Sequence, residues 1–200
     1  MTPPFGIILA GGQATRMGGG DKGALALGDA TLLDHVIGRL APQVQGIALN
    51  ANGDSARFAR YDVPVIADSI EGFAGPLAGV LAGMDWAATR GADTIVTAAA
   101  DTPFFPTDLV AVLQAEAAGM AHPLVLAATP HPDRNKVRHP TFGLWPVALR
   151  DDLRAALQGG VRKVVQWSDG HGGRLAIFPD EDAFFNVNTP DDLAKAKGML

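Results

Sequence analysis

Short, uninterrupted apolar runs constrain this chain more than any other feature. Residues 5–10 form one such run and are followed at once by glycines. Residues 46–49 form a second that stops at Asn50, residues 63–67 a third that stops at Asp68, and residues 94–100 a fourth that stops at Asp101. Without polar alternation, runs of this length read as strands covered on both faces. Between them the periodicity changes. Leu32, Leu33, Val36, Ile37 and Leu40 recur at helical spacing, and residues 76–89 and 107–118 have helical character. This alternation predicts an α/β fold, a three-layer Rossmann-like sandwich around a mostly parallel sheet.

The second half is more varied. Residues 123–128 read as a fifth strand, and residues 141–144, 174–178 and 183–187 as further short ones. Residues 147–157 and 161–167 look helical. Residues 131–139 turn polar and basic and read as a loop. Thr189-Pro190-Asp191-Asp192 is a strong helix start, with a capping hydroxyl, proline in the first turn and acids against the helix dipole. No repeat, low-complexity segment or linker divides the chain, so its 200 residues are expected to form one domain.

Composition narrows the partners. A hydrophobic fraction of 48% and a charged fraction of 18% describe a soluble globular protein. The absence of cysteine excludes disulfides, cysteine nucleophiles and thiolate metal sites, and agrees with a reducing cytoplasm. With a net charge of -5 and no basic run, nucleic acid is not an expected partner. The first apolar run is too short for a signal peptide core or a membrane span. Small molecules and other proteins remain, and an anionic ligand would need local cations or a metal.

The densest chemistry lies after the first strand, in Leu9-Ala10-Gly11-Gly12-Gln13-Ala14-Thr15-Arg16-Met17-Gly18-Gly19-Gly20-Asp21-Lys22-Gly23. In an open parallel sheet, ligands sit beyond the carboxyl ends of the strands. Glycines there let backbone amides approach phosphate oxygens, and Arg16 and Lys22 supply positive charge. Gly18, Gly20 and Gly23 satisfy a dinucleotide-binding spacing, but several residues too far from the strand. The second strand also ends in Asn50 instead of a ribose-binding acid. No Gly-Lys-Ser/Thr phosphate loop occurs. A plain surface loop is the bland alternative.

Leu9-Ala10-Gly11-Gly12, Arg16-Met17-Gly18-Gly19 and Asp21-Lys22-Gly23 together resemble the signature loop of the molybdenum cofactor guanylyltransferases. Their superfamily includes the sugar-1-phosphate nucleotidyltransferases. The resemblance runs on through Asn50-Ala51-Asn52, Asp68-Ser69, Gly75-Pro76-Leu77-Ala78-Gly79, Asp101-Thr102-Pro103, His139-Pro140-Thr141 and Asn186-Val187-Asn188-Thr189-Pro190. Each tripeptide is weak alone, whereas their order and spacing together are specific. The resemblance implies a fold of the nucleotide-diphospho-sugar transferase type. It also implies transfer of GMP from GTP to molybdenum-molybdopterin, with loss of pyrophosphate. Molybdenum insertase and molybdoenzyme chaperones are the protein partners it implies. Molybdopterin cytidylyltransferase, a sugar-1-phosphate enzyme and a non-catalytic nucleotide-binding module are the alternatives.

Two anions must meet in that reaction, so the remedy is electrostatic: Mg2+, a lysine, an arginine and backbone amides around the phosphates. Asp101 is the expected metal ligand, or else it caps the turn before Pro103. Lys22 is expected on the phosphates and Arg16 on the leaving pyrophosphate. Leu9, Ala10, Gly11, Gly12, Lys22, Asn50, Asp68 and Asp101 form the expected GTP site, with Asp68 apt to accept the two adjacent donors of a guanine edge. Asn186 and Asn188, two apart on an expected strand, would share one face and meet the pterin, or Asn188 would cap the last helix. On this reading, about residues 1–105 bind GTP and about residues 106–200 bind the acceptor. Arg134, Lys136, Arg138 and His139 are either an anion-facing cluster or a solvated loop. The tryptophans and histidines read as packing and ordinary surface residues.

Overall fold

The apolar run at the amino terminus becomes the inner strand β1 (Phe5–Leu9). In the computed structural model, residues 2–11, 22–70, 72, 75–133 and 135–200 are described. A small hairpin follows, β2 (Ala26–Leu27) with β3 (Ala30–Thr31), and leads into α1 (Leu32–Leu40). Thr31 and Asp34 form a reciprocal cap there: the Thr31 hydroxyl accepts from the Asp34 amide and the Asp34 carboxylate accepts from the Thr31 amide. Next come β4 (Ile47–Asn50), β5 (Val65–Ile66), α2 (Pro76–Ala88), β6 (Thr94–Ala99) and α3 (Leu109–Glu116). The chain ends with β7 (Val125–His131), β8 (Asn135–Pro146), α4 (Arg150–Gln158), α5 (Val164–Gly170), β9 (Arg174–Ile177) and α6 (Pro190–Lys197).

Among the described residues, seven strands form one sheet in the order β5-β4-β1-β6-β8-β7-β9. All neighbours are parallel except those of β8, which runs against β6 and β7. Side-chain alternation then divides the core between the two faces. Ile8 and Val96 join α1 and α3 through Leu33, Val36, Leu109 and Leu113. Ile7 and Ile95 join α2, α4 and α5 through Leu77, Val80, Leu153 and Trp167. This is the expected three-layer sandwich with a mostly parallel sheet. The consequence for function is topological. From β1 the chain moves to β4 and β5 on one side, then α2 carries it back to β6 on the other. The crevice at the carboxyl end of β1 is therefore a switch point, where ligands of such sheets bind.

Two expectations fail. Residues 131–139 are not a loop: β7 and β8 stay paired through Thr129↔Val137 and His131↔Asn135. Their polar residues sit on strands that extend past the covered part of the sheet, so polarity marks exposure and not irregularity. Asn135 takes a positive φ of 63° at the turn, a conformation asparagine tolerates well. Residues 183–187 are not a strand either. Residues Glu181–Phe184 form a 3₁₀ turn, capped by the Asp180 side chain accepting from the Asp182 amide at 2.9 Å. Here local turn chemistry overrides a short apolar run.

Candidate active site

The carboxyl ends of β1, β4, β5 and β6 open into a cleft of about 440 Å³. Its lining includes Leu9, Ala10, Gly11, Lys22, Asn50, Asp68 and Asp101, together with Asn186. Of the expected nucleotide residues, Gly12 and Arg16 lie outside the described residues, and the others meet here. Backbone bonds fix the strand ends: the Ala10 amide donates to the Asn50 carbonyl at 2.9 Å, and the Ala100 amide to the Leu9 carbonyl at 3.1 Å. Asp68 and Asp101 follow strands that lie three places apart in the sheet, a separation of about 14 Å.

At one end Lys22 meets Asp101. Its ammonium donates to Asp101 Oδ2 at 3.1 Å, and both side chains are largely buried at 15% and 18% exposure. The same ammonium donates to Asn188 Oδ1. Three residues spread over most of the chain thus share one point. Asp101 also accepts a long bond from the Thr102 hydroxyl at 3.3 Å, and its carbonyl accepts from the Val187 amide at 2.8 Å. That backbone bond ties the 183–188 segment to the end of β6.

Asn188 reaches Lys22 because α6 starts beside it. The cap of α6 is Thr189, whose hydroxyl accepts from the Asp192 amide, while Asp192 accepts from the Asn188 and Thr189 amides at 2.9 Å each. These bonds, the Asn188 amide first, hold the Asp192 carboxyl below its ordinary pKa. The capping alternative for Asn188 therefore fails, since Thr189 fills that role. The shared strand face expected for Asn186 and Asn188 fails with the strand. Asn186 lines the cleft, and the Asn188 side chain points to Lys22.

At the other end two asparagines hold Asp68. Asn50 is buried at 5% exposure, and its amide donates to Asp68 Oδ1 at 2.9 Å and to the Ile66 carbonyl at 3.3 Å. Asn52 donates to Asp68 Oδ2 at 2.8 Å and accepts from the Asp68 amide at 2.9 Å. The start of α2 faces the same space, with Gly75 at φ 139° before Pro76. The positive end of a helix dipole favours negative charge.

Sequence reasoning gave no role to Asn52 or Thr141, both of which line the cleft. Thr141 arrives there through an irregularity in the β7–β8 pairing: Leu126 opposes Gly143, but Ala127 already opposes His139. Such bulges re-aim side chains beside active sites. His139, next to it, stacks on Phe184 at 4.3 Å, and its Nε2 lies 3.0 Å from the Thr129 hydroxyl. Burial pushes its imidazole down to about 4, so it is neutral at pH 7. Arg138 is bound to Asp169 at 2.9 and 3.0 Å. Of the residues read as an anion-facing cluster or a solvated loop, His139 is thus a half-buried, neutral packing ring and Arg138 is engaged with Asp169. Arg134 lies outside the described residues. Among the described residues, no three metal-binding side chains cluster, and no helix is long and apolar enough to cross a membrane.

Comparison with known proteins gives the family. Residues 6–172 match the family described as the MobA-like NTP transferase domain. The chain is 48% identical over 202 residues to the molybdenum cofactor guanylyltransferase of Mesorhizobium japonicum, covering 98% of this chain and 95% of the relative. Among solved structures it resembles molybdopterin-guanine dinucleotide biosynthesis protein A from Archaeoglobus fulgidus, with TM-score 0.71, 24% identity, and 98% and 97% of the two chains covered. It also resembles 2-C-methyl-D-erythritol 4-phosphate cytidylyltransferase from Thermus thermophilus, with TM-score 0.70, 19% identity, and 100% and 98% covered. At those identities the two likenesses speak for the fold alone, a nucleotidyltransferase fold of the nucleotide-diphospho-sugar transferase type.

Proposed function

We propose that this chain, which belongs to the MobA-like NTP transferase family and within it to the molybdenum cofactor guanylyltransferases, transfers GMP from GTP to molybdenum-molybdopterin. A terminal phosphate oxygen of the pterin attacks the α-phosphorus of GTP. One P–O bond forms, the bond to the β-phosphate oxygen breaks, and pyrophosphate leaves with its electron pair. The observation that carries this reading is the meeting of Lys22, Asp101 and Asn188 at one end of a cleft whose other end presents Asp68. Charge for phosphates and acceptors for a base thus stand in one cleft.

Asp68 accepts the N1 and N2 hydrogens of guanine, while Leu9, Ala10, Gly11 and Gly12 bind the rest of the nucleotide. Lys22 leaves its ground-state partners to neutralise phosphate charge, and Arg16 meets the charge that grows on pyrophosphate. Asn186 faces the acceptor, and residues beyond about 105 shape that side. Asp101 is an all-oxygen donor in the cleft, which suits Mg2+; with no second carboxylate clustered beside it among the described residues, substrate oxygens and water would complete the shell. When bound, that ion neutralises phosphate charge.

Asp101→Asn tests the assignment. The change keeps size but removes the charge, so single-turnover guanylyl transfer should fall by about a hundredfold or more while the melting temperature holds. Turnover near wild type would leave Asp101 as a turn residue only.

A further inference from the structure

Asp68 has two oxygens and the asparagines use one lone pair on each. Asn50 bonds Oδ1 and Asn52 bonds Oδ2, at 2.9 and 2.8 Å. A carboxylate has about four lone-pair sites, so each oxygen keeps one acceptor position. Held from both sides, the carboxylate cannot turn about its axis without breaking a bond to a charged group.

Asn52 contributes more than a single bond. Its Nδ2 donates to Asp68 Oδ2, and its Oδ1 accepts from the Asp68 amide at 2.9 Å. Only one orientation of the amide satisfies both contacts; the flipped group would set oxygen against oxygen and nitrogen against N–H. The Asn52 backbone is itself held, because its carbonyl accepts from Arg57 at 2.8 Å and the chain turns at Gly53 with φ 84°. Asn50, by contrast, is buried beneath Asp68 against α2. Asn52 is thus the exposed half of the clamp, and it fixes both the side chain and the backbone of Asp68.

We infer that Asn52 is a positioning residue for base selection: it sets the plane of the Asp68 carboxylate so that both free lone pairs meet the two neighbouring N–H groups of a guanine edge. The inference rests on the guanylyl reading above. Its distinctive consequence concerns a single hydrogen-bonding group. Hypoxanthine keeps the N1 hydrogen of guanine but lacks the amino group. A carboxylate locked in plane gains a second bond from GTP that ITP cannot supply; a carboxylate free to rotate profits less from it.

The experiment measures kcat/KM for GTP, ITP and CTP in wild type, and for GTP and ITP in Asn52→Ala, Asn52→Gln and Asp68→Ala, with melting curves for each. One bond to a charged group is worth about tenfold or more, so wild type should favour GTP by at least that factor. Asn52→Ala should bring the ratio to within about threefold of the Asp68→Ala ratio. Asn52→Gln, which keeps the amide on a longer arm, should recover part of it. A merely structural role would lower both nucleotides together and leave the ratio intact, and that result overturns the inference. A wild type that uses GTP and ITP equally overturns the inference alone, whereas a wild type that prefers CTP to GTP overturns the guanylyl reading and the inference with it. A discriminating wild type, an Asp68→Ala that loses discrimination and an Asn52→Ala that retains it would sink the inference alone.

Discussion

Two glycines on one face of α2 separate packing from recognition. A Cβ built on Gly79 would lie 2.2 Å from Asn50 Oδ1 and 2.7 Å from Leu9 Cδ2. A Cβ on Gly83, one turn later, would lie 2.6 Å from Ile7 Cγ1 and 3.0 Å from Ile95 Cδ1. Neither distance is tolerable, so in each case a neighbour must move. Replacing glycine by alanine inside a helix gains about 1 kcal/mol of intrinsic propensity, whereas forcing a methyl into a packed interior costs about 1–3 kcal/mol. At Gly79 the displaced group is Asn50, whose bond to the Asp68 carboxylate contributes about 1.5–3 kcal/mol more. Gly79→Ala should therefore lose about 2–5 kcal/mol, and Gly83→Ala about 0–2 kcal/mol. With about 2–4 °C per kcal/mol in a chain of this size, the melting temperatures should fall by about 4–20 °C and 0–8 °C. The decisive readout is binding. GTP titrated into each protein should bind Gly79→Ala at least tenfold more weakly and Gly83→Ala nearly as tightly as wild type. If both variants lose stability but neither loses GTP affinity, Asn50 does not hold Asp68 for the base and the account of that end of the cleft is wrong.

Two further predictions concern the carboxyl-terminal half. Asn188→Ala removes a Lys22 partner without touching the α6 cap, so GTP affinity and transfer should drop several-fold while the melting temperature stays within about 3 °C, whereas Thr189→Ala should cost about 1 kcal/mol of stability. The reverse pattern, a stability loss at Asn188 with GTP affinity intact, would remove Asn188 from the site. Because burial keeps folded His139 neutral down to about 4 while the unfolded ring takes a proton near ~6.5, its contribution is complete above that upper value and is lost as pH falls toward the lower one. The full displacement is worth at most about 3 kcal/mol, and for a ring that solvent still reaches about 1–2 kcal/mol. Urea midpoints of wild type and His139→Gln between pH 7 and 4.5 should diverge by that amount; parallel curves would contradict it.

Much of the site could be read from the sequence because strand ends announce themselves. An apolar run that stops at a polar residue places that residue at the sheet edge, and Asn50, Asp68 and Asp101 all follow this rule. What the pattern lacks is partnership. Nothing in the sequence joins Asn52 to Asp68, and the Lys22–Asn188 bond spans 166 positions. The direction of β8 was equally hidden, since a buried strand reads the same whether parallel or antiparallel. Residues 131–139 misled because exposed strands and loops share polar composition, and residues 183–187 because a short stretch with Phe184, Phe185 and Val187 suits a strand or a packed turn. Thr141 owes its position to a bulge, which depends on the pairing register and leaves no local mark.

Identification of the transferred group tests the central claim most directly. The wild-type protein is incubated with molybdenum-molybdopterin, magnesium and equal amounts of GTP, CTP and ATP, each labelled at the α-phosphate, and the pterin product is isolated. We expect label from GTP in a pterin–guanine dinucleotide, one pyrophosphate released per transfer, and at least a tenfold excess over CMP or AMP adducts, the cost of leaving the free acceptor positions of Asp68 unmet in the complex. Label arriving chiefly from CTP, or bound nucleotide with no transfer at all, would contradict it.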